Sequence, residues 1–329
     1  MTRPIFSLST SLKCSLRCSY CTSGFNNPRA QKRETILDDL GLCRYLELVE
    51  RLPIPDDALV NFHGPAEPTM LSGFVELARA LVTEDRAVRV YTNLLKPQPI
   101  IDLVETAVPR WRRQDVEVAV SYHIGTYSMR LGDRVKVREA LYEVLKRGPF
   151  VRLMLPATPA ALWDRQLGTD VRWFREVAIG RFVVSVIVLG GKLDGQIYPE
   201  AYTDRELARL YDLSEIYEPW STLPVYPPNL RRVGGPLRLE GQPCLYPSRH
   251  AAVGIDGRIW NCGPDHEPER RLGDPIESLY PEGAVPCPHP VCTCKPRGVE
   301  YCLEARGISL EEHYGLPTDV PPENEPLVR

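Results

Sequence analysis

The sequence predicts an α/β fold, a partial (β/α)6 barrel of TIM-like form followed by a small cysteine-rich C-terminal domain, and three observations lead there. Short apolar or β-branched runs alternate with helical periodicity six times over residues 1–220. Polar or glycine-containing stretches follow the strands, which is where parallel α/β folds carry their chemistry. A Pro- and Gly-rich linker at 221–236 then ends the periodicity, and the remainder, 237–329, is loop-rich and holds most of the thiols.

The units follow in order. Ile5 to Ser9 reads as a strand that delivers the chain to a cysteine-bearing loop. Leu40, Leu42, Cys43, Leu46, Val49 and Leu52 recur at helical spacing, so one helix is expected from Asp38 to Leu52, ended by Pro53 and Pro55, with Cys43 as a small buried apolar residue. Strands are then expected at Ala58 to Phe62, Val88 to Tyr91, Val116 to Val120, Val151 to Leu155 and Phe182 to Leu189. Between and after them, helical periodicity covers Phe74 to Val82, Ile100 to Val108, Val135 to Lys146, Trp163 to Ala178 and Asp204 to Tyr217. The tail from Pro317 is too proline-rich and polar to predict a packed element.

Composition narrows the function. A net charge of −3 without a long basic run argues against a general nucleic-acid binder. No apolar run approaches a membrane span and the N-terminus lacks a signal-peptide pattern, so a soluble cytoplasmic protein is expected. Ten cysteines in a reducing compartment point to metal ligation rather than disulfides. Cys14, Cys18 and Cys21 lie on one short loop, where Lys13 and Arg17 favour the thiolates. Three thiolates on a four-iron cluster leave one iron open to a small molecule; structural zinc, which takes four ligands, is the competing reading.

Cys14-x3-Cys18-x2-Cys21, with Tyr20 before the last cysteine, resembles the signature of the radical S-adenosylmethionine (SAM) superfamily. The resemblance implies a 4Fe-4S cluster whose open iron binds SAM. Reductive cleavage of SAM then yields a 5′-deoxyadenosyl radical that abstracts a substrate hydrogen, with an electron donor such as flavodoxin or ferredoxin as partner. Gly64-Pro65-Ala66-Glu67-Pro68 resembles the family's Gly-Gly-Glu-Pro motif, with Pro65 and Ala66 at positions where it has glycine; Glu67 would accept hydrogen bonds from the SAM amino group. Thr92-Asn93 and Ser121 resemble the family's polar contacts at the third and fourth strand ends, and Tyr122, His123 and Tyr127 are expected to face the same cavity.

A second constellation lies C-terminal. Cys244, Gly257 and Cys262, followed by Leu272 to Leu279, resemble the opening of the SPASM and twitch domains appended to many radical SAM enzymes. Ala252 to Trp260 reads as a hairpin with Asp-Gly at its turn, with Cys244 and Cys262 expected at opposite ends of the ribbon. Cys287, Cys292, Cys294 and Cys302 follow at spacings that depart from the SPASM pattern, so one auxiliary 4Fe-4S cluster is expected, with some thiols left over. A zinc knuckle competes here, since His266 and His289 lie nearby. A spare C-terminal thiol could return a hydrogen atom to a substrate radical, giving epimerisation, or an auxiliary cluster could accept an electron, giving oxidation.

With a strand expected within a few residues of Met1, no N-terminal leader-binding domain is expected. That favours a small-molecule substrate, sugar or aminoglycoside-like, undergoing epimerisation or dehydrogenation. The alternative is maturation of a ribosomally made peptide by epimerisation, oxidation or cross-linking. A different class altogether is a non-catalytic iron–sulfur or zinc protein.

Overall fold

The computed structural model describes residues 3–16, 18, 34–63, 66–82, 85–107, 113, 115–123, 131–178, 181–187, 189, 191–198, 201–216, 218–219, 240–262, 270–287 and 303–308. Its centre is a parallel run of strands in sequence order: β1 (Ile5–Leu8), β2 (Leu59–Phe62), β3 (Ala87–Thr92), β4 (Val116–Ser121), β5 (Phe150–Pro156) and β6 (Phe182–Ile187). Consecutive order with parallel pairing is what right-handed βαβ crossovers produce.

The first crossover begins at α1 (Ile36–Leu40), where Thr35 and Asp38 form a capping box. The single helix expected over Asp38 to Leu52 is instead two, because Gly41 adopts φ 73° between α1 and α2 (Leu42–Glu50). Cys43 is exposed, not buried, since α2 turns Tyr45, Leu48 and Val49 inward and leaves Cys43 on the solvent side. Helix α3 (Phe74–Leu81) buries Phe74, Leu77, Ala78 and Leu81, the i, i+3, i+4, i+7 stripe of a core-facing helix. Helix α4 (Gln98–Asp102) continues as a π-helical turn over Leu103–Ala107, and α5 (Leu131–Leu145) precedes β5.

The helix expected from Trp163 is divided into α6 (Pro159–Leu162) and α7 (Leu167–Ala178). Asp164 causes the break: its Oδ1 accepts from the N–H groups of Gln166 and Leu167, as an N-capping carboxylate does. A small hairpin not read from sequence, β7 (Gly191–Leu193) and β8 (Gln196–Tyr198), turns at Asp194-Gly195, both with positive φ. Helix α8 (Asp204–Ile216) then leads to β9 (Glu218–Pro219), which pairs parallel with β6.

After the linker, which lies outside the described residues, come β10 (Pro243–Cys244), α9 (Tyr246–Arg249), β11 (His250–Val253), β12 (Arg258–Trp260), β13 (Arg270–Arg271) and β14 (Val285–Pro286). The expected hairpin is present: β11 and β12 are antiparallel, with Gly257 at φ 76° in the turn. Strand β11 also pairs parallel with β1 over all four residues of each. The C-terminal ribbon therefore extends the core sheet, giving a ten-stranded order β13-β12-β11-β1-β2-β3-β4-β5-β6-β9.

One face of this sheet is apolar. Phe6, Leu8, Val60, Phe62, Val88, Val90, Val118, Val120, Val151 and Leu153 are all fully buried in the core formed with the helices. Among the described residues no helix is long and apolar enough to cross a membrane.

Candidate functional site

The opposite face is polar. Strand register puts Ser7 beside Asn61, Asn61 beside Arg89 and Arg89 beside Glu117, so these four side chains share one face. Ala119 pairs with Arg152 and Met154 with Ser185, which brings Arg152 and Ser185 onto it as well, and Ser7 opposite Ala252 adds His250. Parallel sheets usually bury both faces in apolar contacts. Here the inner face departs from that rule and carries charge.

Glu117 bridges two arginines: Arg89 Nη2 donates to its Oε2 and Arg152 Nε to its Oε1, each at 2.7 Å, and Arg152 also donates to Ser185 Oγ at 2.7 Å. All three charged side chains are only 12–14% exposed. Nearby, Asn61 Nδ2 donates to Ser7 Oγ (3.2 Å), and Ser7 Oγ lies 3.1 Å from His250 Nε2. His63 meets the Tyr91 ring edge-on at 6.1 Å between centroids. Burial, with His63 close by, pushes the His250 imidazole down to about 3. The signal for this network was present in the sequence, as a single charge in each of the apolar strands Val88-Arg89-Val90, Val116-Glu117-Val118 and Val151-Arg152-Leu153.

At the C-terminal strand ends, three of the segments singled out from sequence meet. The Glu67 N–H donates to the carbonyl of Lys13 (3.0 Å), tying the loop after β2 to the cysteine loop after β1. Glu67 is 4% exposed, and its carboxylate accepts from Thr69 Oγ1 and from the Asn93 N–H, each at 2.7 Å. Burial raises its pKa, and hydrogen bonds from Thr69, Asn93 and Thr92 pull it back. Asn93 in turn exchanges hydrogen bonds with Ser15, Nδ2 to Oγ at 3.0 Å and Oγ to Oδ1 at 3.3 Å. Thr92 Oγ1 accepts from the Leu94 N–H (2.9 Å), bracing Leu94 at φ 57°, a left-handed turn that a branched residue rarely adopts.

The sulfurs lie in this polar corner. Cys14 Sγ accepts from the Leu16 N–H (3.4 Å) and from Asn93 Nδ2 (3.9 Å). Cys18 Sγ lies 3.8 Å from His123 Nδ1, just past the end of β4. Desolvation pushes the His123 imidazole down to about 4. Two thiols on one loop at the strand ends, Cys14 facing N–H donors and Cys18 facing an imidazole nitrogen, form a donor set that suits a thiolate-bound iron cluster. Among the described residues no three His, Cys, Asp or Glu side chains gather as a metal site. Cys21, Tyr20 and Gly64 lie outside those residues.

Other expectations fare differently. Ser121 closes β4 on the inner face, paired with Met154. Tyr122 does not face the cavity: it is fully buried among the helices, donating to Asp170 Oδ2 (3.1 Å) and accepting from Arg134 Nε (3.2 Å). Strand alternation requires this, since Ser121 and His123 take the inner side. Tyr127 lies outside the described residues.

In the C-terminal part, Cys244 and Cys287 are both buried. Cys244 pairs with Val285, and Cys287 exchanges backbone bonds with Gly241 and Gln242, so the two cysteines share a face of the β10–β14 ribbon as diagonal neighbours. Cys262 lies two residues beyond the end of β12. It and Cys244 lie toward the same, open end of the β11–β12 hairpin rather than at opposite ends: Cys244 precedes β11, and Asn261, just after β12, donates back to the carbonyls of Pro247 and His250. Cys292, Cys294, Cys302, His266 and His289 lie outside the described residues.

The fold defines an α/β protein with a mostly parallel central sheet whose strand ends carry a cysteine corner. No family profile matches the chain, and no curated protein matches it. Among solved structures, Streptococcus suis SuiB bound to S-adenosylmethionine is similar in fold, with 14% identity over 83% of this chain and a TM-score of 0.50. SuiB bound to precursor peptide SuiA gives 13% and 0.49 over the same share, and BtrN in complex with AdoMet and 2-DOIA gives 15% and 0.40 over 83% of this chain and 79% of its own. The match spans 62% of the SAM-bound SuiB chain. At this identity the likeness is one of fold.

Proposed function

We propose that the chain is a radical SAM enzyme. The observation that carries this reading is the corner in which Lys13, Cys14 and Ser15 meet Glu67 and Asn93 through direct hydrogen bonds at successive strand ends. In this reading Cys14, Cys18 and Cys21 hold a 4Fe-4S cluster, and SAM lies against Tyr20, Gly64, Glu67, Thr92, Asn93 and Ser121. The cluster, when bound, supplies the electron that cleaves SAM to a 5′-deoxyadenosyl radical.

The chain's own residues do the rest. Glu67 holds the Asn93 turn through its N–H, so an amine that Glu67 meets must share the carboxylate with donors already on it. Asn93 aligns the cysteine loop through Ser15 and Cys14. The charged inner face below, with Arg89, Glu117, Arg152 and Ser185, offers hydrogen-bonding groups in both senses and favours a small polar substrate, sugar or aminoglycoside-like, over an apolar one. Its hydrogen is taken for epimerisation or dehydrogenation. Four of the six C-terminal thiols, drawn from the buried Cys244 and Cys287 and from Cys262, Cys292, Cys294 and Cys302, supply the ligands of one auxiliary cluster in a SPASM- or twitch-like segment, with two left over.

Anaerobic reconstitution with iron, sulfide, reductant and SAM tests the core of this. Release of 5′-deoxyadenosine is expected from the wild type and is lost in Cys14→Ala; a reconstituted chain that binds metal yet releases none is a non-catalytic iron–sulfur or zinc protein. Single Ala replacements at the C-terminal cysteines separate ligands, which lose iron, from a hydrogen donor, which keeps iron and stalls turnover. A product that gains one solvent deuterium marks epimerisation, and one lighter by two hydrogens marks oxidation. Turnover of a ribosomal peptide alone would select the peptide-maturase reading instead.

A further inference from the structure

We propose that His123 donates its Nδ1–H to the sulfur of Cys18 and, together with the Asn93 amide on Cys14, sets the reduction potential of the cluster that these cysteines hold. The proposal rests on the reading of the cysteine loop given above.

The placement of His123 follows from its neighbours. The Tyr122 N–H donates to the carbonyl of Met154 (2.8 Å), prolonging the β4–β5 ladder one residue past Ser121. The Tyr122 ring is then locked on the helix side by Asp170 and Arg134, and Arg134 is itself held by Asp164 at 2.8 Å. With Tyr122 fixed outward, the next side chain must point inward, toward the cysteine loop, and its Nδ1 lies 3.8 Å from Cys18 Sγ. Asn93 is placed just as firmly, by its N–H on Glu67 and its side chain on Ser15, and its amide reaches Cys14 Sγ at 3.9 Å. Strands β3 and β4 are paired neighbours, so the two donors approach adjacent sulfurs of one loop from adjacent strand ends.

The chemistry follows from charge. A cysteinyl sulfur bound to iron carries negative charge, and reduction adds more. An N–H donor to that sulfur withdraws density and stabilises the reduced form over the oxidised one, which raises the potential. Two such donors on two of three ligands make this corner a place where the ease of cluster reduction is set by side chains that do not ligate iron. His123 and Asn93 are positioning and tuning residues, not ligands.

The test is anaerobic EPR-monitored potentiometry on the full-length reconstituted chain, using the signal that is absent in Cys14→Ala to assign the cluster. His123→Leu, which fills the space without a donor, is expected to keep its iron and to shift the midpoint negative. A tenfold fall in the reduced-to-oxidised ratio at fixed potential corresponds to about 59 mV for one electron. His123→Gln, which retains a side-chain N–H, should recover part of the shift, and Asn93→Leu should shift the same way. In the wild type, histidine labelled with 15N should show a weak nitrogen coupling to the reduced cluster. An unchanged midpoint in His123→Leu with full iron overturns the proposal, as does a coupling strong enough for an iron–nitrogen bond, or none. A wild type that assembles no Cys14-dependent cluster overturns the cluster assignment itself, and is recognised by iron content before any potential is measured.

Discussion

Replacing Glu67 probes the corner most directly, because its carboxylate is nearly inaccessible and its partners are known. In Glu67→Ala the Asn93 N–H, which donates at 2.7 Å, loses its acceptor in a buried setting, whereas the Thr69 hydroxyl can rotate to another partner. An orphaned buried N–H costs about 1–3 kcal/mol, and relief of the carboxylate's desolvation offsets part, so a net loss of about 2 kcal/mol is expected. Glu67→Gln keeps one carbonyl oxygen for Asn93 and should cost under about 1 kcal/mol. Urea unfolding of the metal-free chain followed by circular dichroism, with an unchanged slope, measures both. The two variants also differ in pH response. Burial raises the Glu67 pKa, so the folded state holds its proton to higher pH than the unfolded chain, and this contribution to stability declines as pH rises above 4.5. Glu67→Gln should remove that decline. An Ala variant within 0.5 kcal/mol of wild type, or a Gln variant as damaged as Ala, would refute the clamp described above.

Three further outcomes are expected. Glu117→Ala leaves Arg89 and Arg152 facing each other without their shared carboxylate, and should lower stability by about 3–5 kcal/mol in the same urea assay; a loss below about 1 kcal/mol would mean the pair is well hydrated. The His250 imidazole, at about 3 in the fold against 6.5 ordinarily, stays neutral while the unfolded chain takes up a proton, so stability is full above pH 6.5 and falls as pH drops toward 3. Between pH 6.5 and 5 the fall is roughly 2 kcal/mol, and His250→Gln should flatten it. Gly254→Ala would bring a methyl group within 2.0 Å of the Trp260 ring, forcing the β11–β12 hairpin to shift at a cost of about 1–3 kcal/mol; an unaltered thermal midpoint would show that the tryptophan swings aside freely.

The six strands, and the helices α3, α5 and α8, are legible from periodicity because each buries one regular stripe against one layer. Periodicity failed where a single side chain or dihedral interrupted it, at Gly41 and at Asp164, since both are local backbone events inside a continuing apolar pattern. The β7–β8 hairpin had its signal in Asp194-Gly195, but its strands are too short to stand out. Cys43 is exposed although it falls on the helical spacing, because spacing alone does not tell an inward residue from its outward neighbour on a short helix.

The cysteine motif and the residue types at the strand ends are properties of the sequence by itself, as is the alternation that builds the parallel core. The tertiary structure decided which of those residues meet. Register turned isolated charges in three strands into one Arg–Glu–Arg bridge, and alternation sent Tyr122 outward while holding His123 against Cys18. It also joined the C-terminal ribbon to β1, a pairing between residues more than two hundred positions apart. Local sequence carries no record of such partners, because pairing across a sheet depends on how both strands are oriented by everything between them.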